Sequence, residues 1–189
     1  VLYNSKITMT HSNDIGDLGD TGKFFEILKH MKTAYTITLD DDIIYPENYV
    51  TTMVTNSNKY NNRAIITYHG GILPKYVKSY TDERNLIHFN EKNKKDIFVN
   101  ILGTGVSLYP PGLLKLHFDD FKRPNSSDLF VALTAQKQKI PIVIIKHDKD
   151  LFESIVYKYN LWDTETGKRS DISQLNTEDA KKIKWSVYT

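Results

Sequence analysis

The chain has 189 residues, 40% hydrophobic and 12% aromatic, with a net charge of +2. That length and apolar content suit one α/β domain with a sizeable core and exclude a wholly disordered chain. Cysteine is absent, which removes any disulfide frame or thiolate metal site; no apolar stretch reaches membrane-spanning length, and the near-balanced charge offers nucleic acid no broad basic face.

Val1–Ser5 does not read as a signal peptide. A short strand is expected over Lys6–Thr10, then a polar loop, His11–Thr21. A helix is expected over Gly22–Met31, where Phe24, Phe25, Ile27, Leu28 and Met31 recur at helical spacing. Tyr35–Leu39 is strand-like and runs straight into Asp40, Asp41 and Asp42. A second helix is expected from Pro46 to Ser57, because proline suits a first helical turn. Ala64–Tyr68 reads as a strand ending at His69-Gly70-Gly71, where glycine permits a sharp turn or a close approach to a ligand. Pro74–Lys95 is a polar, irregular excursion, and its basic run Lys92-Asn93-Lys94-Lys95 reads as a solvated loop or helix end.

Ile97–Leu102 and Val106–Tyr109 are two extended segments flanking the glycine loop Gly103-Thr104-Gly105. Asn125-Ser126-Ser127-Asp128 is a helix-start signal ahead of Leu129, Val131, Ala132 and Leu133. Ile140–Ile145 is nearly all apolar and β-branched, the pattern of a buried central strand, and it delivers Lys146-His147-Asp148 at its carboxyl end. From Leu151 the chain turns polar. It reads as a tail packed over the domain, anchored by Trp162 and Trp185, with a short helix opened by Asn176 or Thr177.

The three aspartates are the most informative feature. Carboxylates this close repel one another and raise each other's pKa unless a cation stands between them. In an extended chain Asp40 and Asp42 would project to one side and Asp41 to the other, a D-x-D spacing. An all-oxygen pair suits Mg²⁺ or Mn²⁺, which keeps open positions for water and phosphate. The competing reading is a solvated acidic loop opening a helix. In an open α/β sheet, ligands bind beyond the carboxyl ends of the strands, so Asp40–Asp42, His69, Gly103–Gly105 and His147 are expected to converge.

This set, with Asp128 at a helix start, resembles the catalytic core of GT-A-fold glycosyltransferases, most closely the inverting family-2-like enzymes of polysaccharide synthesis. The run Tyr35–Pro46 carries the most specific part of the resemblance, which covers roughly residues 6 to 150, with 151–189 as an extension packed on that domain. It implies an α/β fold with a Rossmann-like mixed sheet and flanking helices, and two nucleotide-binding β-α units, of at least about 30 residues each, that are not visible ahead of Val1. An N-terminally truncated domain, with an exposed sheet edge available for pairing, is therefore expected.

The resemblance further implies that Asp40 and Asp42 hold Mn²⁺ or Mg²⁺, with His147 as a third ligand or a diphosphate contact. Asp40, Asp41 and Lys23 would meet the nucleotide-sugar donor, a UDP-sugar first of all. Gly103, Thr104, Gly105 and His69 would shape the acceptor side, where a glycan or other hydroxyl compound binds, and Asp128 would be the base. A cytoplasmic protein, peripheral to the membrane's inner face, follows from the same comparison.

Plainer roles compete. Acids are common in first helical turns, His147 suits an ordinary strand-end histidine, Gly103–Gly105 suits a tight turn and Lys23 an exposed helix lysine. Asp119 and Asp120 compete for the role of base, though Phe118 and Phe121 suggest a pinned loop. Asp14, Asp17 and Asp20 lack the spacing of a calcium-binding loop. A non-catalytic module that binds carbohydrate, metal or a partner protein is the main functional alternative. A nucleotidyltransferase would want a glycine-rich basic loop at its start, and none is visible.

Overall fold

The computed structural model describes residues 9–10, 16–155 and 170–189. Most of the expected strand Lys6–Thr10, together with Asp14 and Trp162, lies outside the described residues. The strands are β1 (Thr36–Leu39), β2 (Ile43–Ile44), β3 (Ile65–Thr67), β4 (Gly70–Ile72), β5 (Asn85–Ile87), β6 (Ile97–Val99), β7 (Ile101–Leu102), β8 (Val106–Tyr109), β9 (Ile142–Ile144) and β10 (Glu153–Ser154). The helices are α1 (Gly22–Phe25), α2 (Tyr49–Lys59), α3 (Ser127–Gln138) and α4 (Ser170–Lys181).

Five strands form a mixed sheet in the order β1-β8-β3-β9-β6, in which only β3 and β9 run parallel. A three-stranded antiparallel sheet, β5-β4-β7, and a two-stranded ribbon, β10-β2, complete the described pairing. The protein is thus a mixed α/β protein with helices flanking a mixed sheet. Among the described residues β1 is an edge strand, and Leu39 on it is half exposed.

Alternation along each strand divides the core in two. Ile65, Ile142 and Ile144 face one side, with Leu129, Phe130 and Val131 of α3. Ile66, Val143 and Ile145 face the other, with Tyr49 and Met53 of α2. Because β3 and β9 are covered on both faces, every residue along them is buried rather than every second one, Thr67 included.

Several expected elements have different limits, each for a local reason. Gly22–Met31 holds one turn of α-helix followed by a 3₁₀ turn, because Lys29 and His30 donate to the carbonyls of Glu26 and Ile27, three residues back. The second helix begins at Tyr49, since the Tyr49 N–H closes a turn on the Pro46 carbonyl (2.9 Å). It ends where Asn61 and Asn62 take positive φ. Ile97–Leu102 is two strands in different sheets. They part at buried Asn100, whose side chain accepts from Leu73 N–H (2.8 Å) and donates to the Leu73 carbonyl (3.0 Å). The polar excursion Pro74–Lys95 contains β5.

The tail helix α4 begins at Ser170, well ahead of Asn176 and Thr177. Those two side chains reach other segments instead: Thr177 Oγ1 accepts from Tyr80 N–H (3.0 Å), and Asn176 Oδ1 accepts from Arg123 Nε (3.2 Å). Trp185 is buried, with its indole N–H on the Ala180 carbonyl (2.9 Å). No described helix is long and apolar enough to cross a membrane.

Replacing Asn100 by Ala leaves both Leu73 backbone groups unpaired in the interior. A loss of about 2–3 kcal/mol is expected, measurable as a lower midpoint in urea denaturation with an unchanged slope.

Candidate active site

The glycine loop between β7 and β8 is the meeting point. A Cβ on Gly105 would overlap the carboxylate of Asp40, and one on Gly103 would lie 2.6 Å from the His69 ring. Thr104, between them, donates to Asp128 Oδ1 from its N–H (2.7 Å) and its hydroxyl (2.8 Å). Three consecutive residues therefore touch His69, Asp128 and Asp40. The loop itself is anchored by Ser107, whose hydroxyl donates to the Gly103 carbonyl (2.8 Å).

Asp40 directly follows β1, but the chain then turns at Asp41 and Asp42 instead of staying extended. The strand-alternation argument for Asp40 and Asp42 sharing one side consequently does not apply. Tyr45 braces this turn: its hydroxyl accepts from Asp40 N–H (2.8 Å) and donates to the Gly105 carbonyl (2.6 Å), joining the acidic turn to the glycine loop. Burial and the neighbouring carboxylates push that hydroxyl's pKa up to about 12, so it serves as a donor at any ordinary pH. Lys23 pairs with Asp40 Oδ1. Burial, and then the charges of Asp40 and Asp41, raise the carboxyl of Asp42 above its ordinary value, while Lys23 offsets part of this.

On the other side of the loop, Asp128 occupies the first turn of α3. That helix start is held from a distance by Asp20, whose carboxylate accepts from Ser126 N–H (3.1 Å), Ser127 N–H (3.0 Å) and the Ser127 hydroxyl (2.5 Å). These bonds satisfy amides that would otherwise be orphaned at the helix end. Burial nevertheless raises the Asp20 carboxyl above its ordinary value. Asp128 lines a cavity of about 160 Å³ together with Asp20, Tyr80, Arg84, Ser173 and Asn176.

The histidines separate. His69 lies by Gly103, edge-on to His88 at 4.7 Å between ring centroids. Its Nδ1 is buried without a partner. Burial, with lesser contributions from His88 and Arg84, pushes His69 down to about 3. His147 instead packs edge-on to Tyr68, and its Nδ1 bonds the Ile145 carbonyl (2.7 Å). Edge-on contacts through Tyr68 and Phe152 connect its ring to that of Tyr45. His147 lines a different recess, with Lys92, Asn93, Lys94, Lys146 and Asp148.

Among the described residues no group of three or more histidines and acids is arranged to hold a metal. Asp119 and Asp120 lie in a 3₁₀ turn, where Asp120 accepts from His117 N–H (2.9 Å) and Phe118 packs on Phe25 and Phe121. Reasoning from sequence missed Tyr45, Asp20 and Arg84. Tyr45 stood within the Tyr35–Pro46 run, and Asp20 follows Gly19, whose positive φ fits it against Asn125; nothing local distinguishes Arg84.

No protein-family model and no curated protein matches this chain, so its function has to be read from its own residues.

Two outcomes follow from this geometry. Gly105→Ala turns the partly exposed Asp40 carboxylate off the loop and away from Lys23, and a loss of about 1 kcal/mol is expected in chemical denaturation. For His69, the folded pKa of about 3 lies below the ordinary 6.5, so the unfolded chain binds the extra proton. Its contribution is complete above 6.5 and is lost as pH falls towards 3, at a slope of up to about 1.4 kcal/mol per pH unit. Urea titrations across that window are expected to show a shallower fall for His69→Gln than for the wild type.

Proposed function

We propose that this chain is the core of a metal-dependent glycosyltransferase that moves a sugar from a nucleotide-sugar donor to a glycan or other hydroxyl acceptor, with inversion. The observation that carries the proposal is the adjacency of two carboxylates on one loop: Asp40 rests against Gly105, and Asp128 is bonded to Thr104. One acidic group lies with other acids, as a cation site requires. The other stands at a cavity, as a base requires.

The acidic turn fits a hard divalent ion. Asp40, Asp41 and Asp42 repel one another, and Asp42 is under additional pressure from burial. Mg²⁺ and Mn²⁺ commonly take only one or two protein carboxylates and fill the remaining positions with water and phosphate oxygens. Asp40 and Asp42 would hold the ion, which when bound supplies neutralising charge for a departing diphosphate. Lys23, already on Asp40, adds a second positive charge at the same place. His147, which lines the recess formed with Lys92, Asn93, Lys94, Lys146 and Asp148, is not needed in the proposed shell.

Asp128 is suited to proton abstraction because its two oxygens differ. Oδ1 is fixed by Thr104, whereas Oδ2 has no hydrogen-bond donor among the described residues. Fixing one oxygen orients the carboxylate, and the other is left to take the proton of an acceptor hydroxyl. Attack from this side, opposite the departing diphosphate, gives inversion. A second reading, a carbohydrate-binding module without chemistry, is favoured by the Lys23–Asp40 pair, which relieves part of the acidic repulsion without any ion.

Titration with Mn²⁺ and a panel of nucleotide sugars separates the two. The transferase reading expects metal-dependent nucleotide binding, seen as a rise in Tm, that is lost in Asp40→Asn and Asp42→Asn. It also expects Asp128→Asn to keep that binding while sugar transfer falls by about 100-fold or more. Glycan binding with no response to nucleotide would support the module instead.

A further inference from the structure

We propose that the acceptor carries an anionic group, a carboxylate or a phosphate, and that Arg84 grips it in the cavity beside Asp128. This deepens the transferase reading and rests on it only in naming the cavity as the acceptor's place.

The charges lining the cavity differ in how far the protein has already satisfied them. Asp20 is engaged by three donors at the start of α3, and the helix dipole favours its charge there. Asp128 is engaged through Oδ1 by Thr104. Arg84 is different. Its guanidinium lies 4.6 Å from the centre of the Tyr80 ring, its Nε is buried without a hydrogen-bond partner, and it belongs to no ion pair among the described residues. A buried donor left without an acceptor costs free energy, and more so when it is charged.

The cation–π contact with Tyr80 holds the guanidinium at the cavity wall. A planar fork held in this way matches the two oxygens of a carboxylate or phosphate and discriminates against an isolated hydroxyl. The remaining lining suits a sugar. Ser173 and Asn176 of α4 and Thr81 supply hydroxyl and amide groups on the walls around Arg84 and Asp128. At about 160 Å³ the cavity is smaller than the roughly 300 Å³ at which drug-sized pockets begin. It therefore suits one sugar unit rather than several. An acid group on that unit would be held at Arg84 while a hydroxyl of the same unit approaches Asp128 Oδ2. The tail helix α4, fastened by Thr81–Ser173 and Arg123–Asp179 contacts, forms one wall and so contributes to selectivity.

The test is calorimetric titration of the chain with methyl glucuronide, glucose 6-phosphate and methyl glucoside, without metal or nucleotide. At least one of the two acidic sugars is expected to bind about tenfold or more tightly than the neutral one; which of them does so identifies the acid. Arg84→Gln is expected to abolish the difference and Arg84→Lys to retain part of it. Equal or tighter binding of methyl glucoside, no binding of either acidic sugar, or a preference that survives Arg84→Gln would overturn the proposal. Should Arg84→Gln fail to fold, Arg84→Lys decides: an undiminished preference counts against the guanidinium fork, and a reduced one supports it. Failure of the transferase reading would appear separately, in the Mn²⁺ and nucleotide titrations.

Discussion

The candidate site depends on the absence of two side chains. Gly103 and Gly105 leave room for an imidazole and a carboxylate against the backbone, and Thr104 turns its own donors to a third functional group. A loop with ordinary residues at those positions would push His69 and Asp40 apart. Close approach of backbone to functional groups is the circumstance in which glycine's lack of a Cβ outweighs its entropic cost. The sheet supports this arrangement, since β7 and β8 bring the loop to the place where β1 and α3 deliver their acids.

The acidic turn is held in a costly state. Three carboxylates crowd together, one of them raised by burial, and the partial relief comes from Lys23 and from the Tyr45 brace. Tyr45 belongs to an aromatic layer with Tyr49, Phe152 and Tyr68. The geometry of the turn is therefore tied to the α2 side of the core as well as to the glycine loop. Polar placement and apolar packing meet in that single side chain.

Much of the frame could be read from the sequence where the pattern is local. β8 lies between a glycine loop and a pair of prolines and occupies Val106–Tyr109 as read, and α3 follows its Asn125–Asp128 start signal. Asp40, His69 and Asp128 stand together because each ends or begins an element that meets the loop between β7 and β8. The misreadings all involve partners distant in sequence. Asn100 separates two strands by binding Leu73, and Thr177 and Asn176 looked like helix starts but reach Tyr80 and Arg123. Arg84 and Asp20 take their meaning from a cavity and a helix end that no local spacing reveals.

One short stretch near the start of the described chain connects both halves of the site. Asp20 grips the beginning of α3, and three residues later Lys23 reaches Asp40. The two acids are thus moored to the same turn from opposite directions. A shift in that turn would be felt by both together, so that a disturbance at Asp40 is passed to the start of α3, where Asp128 sits.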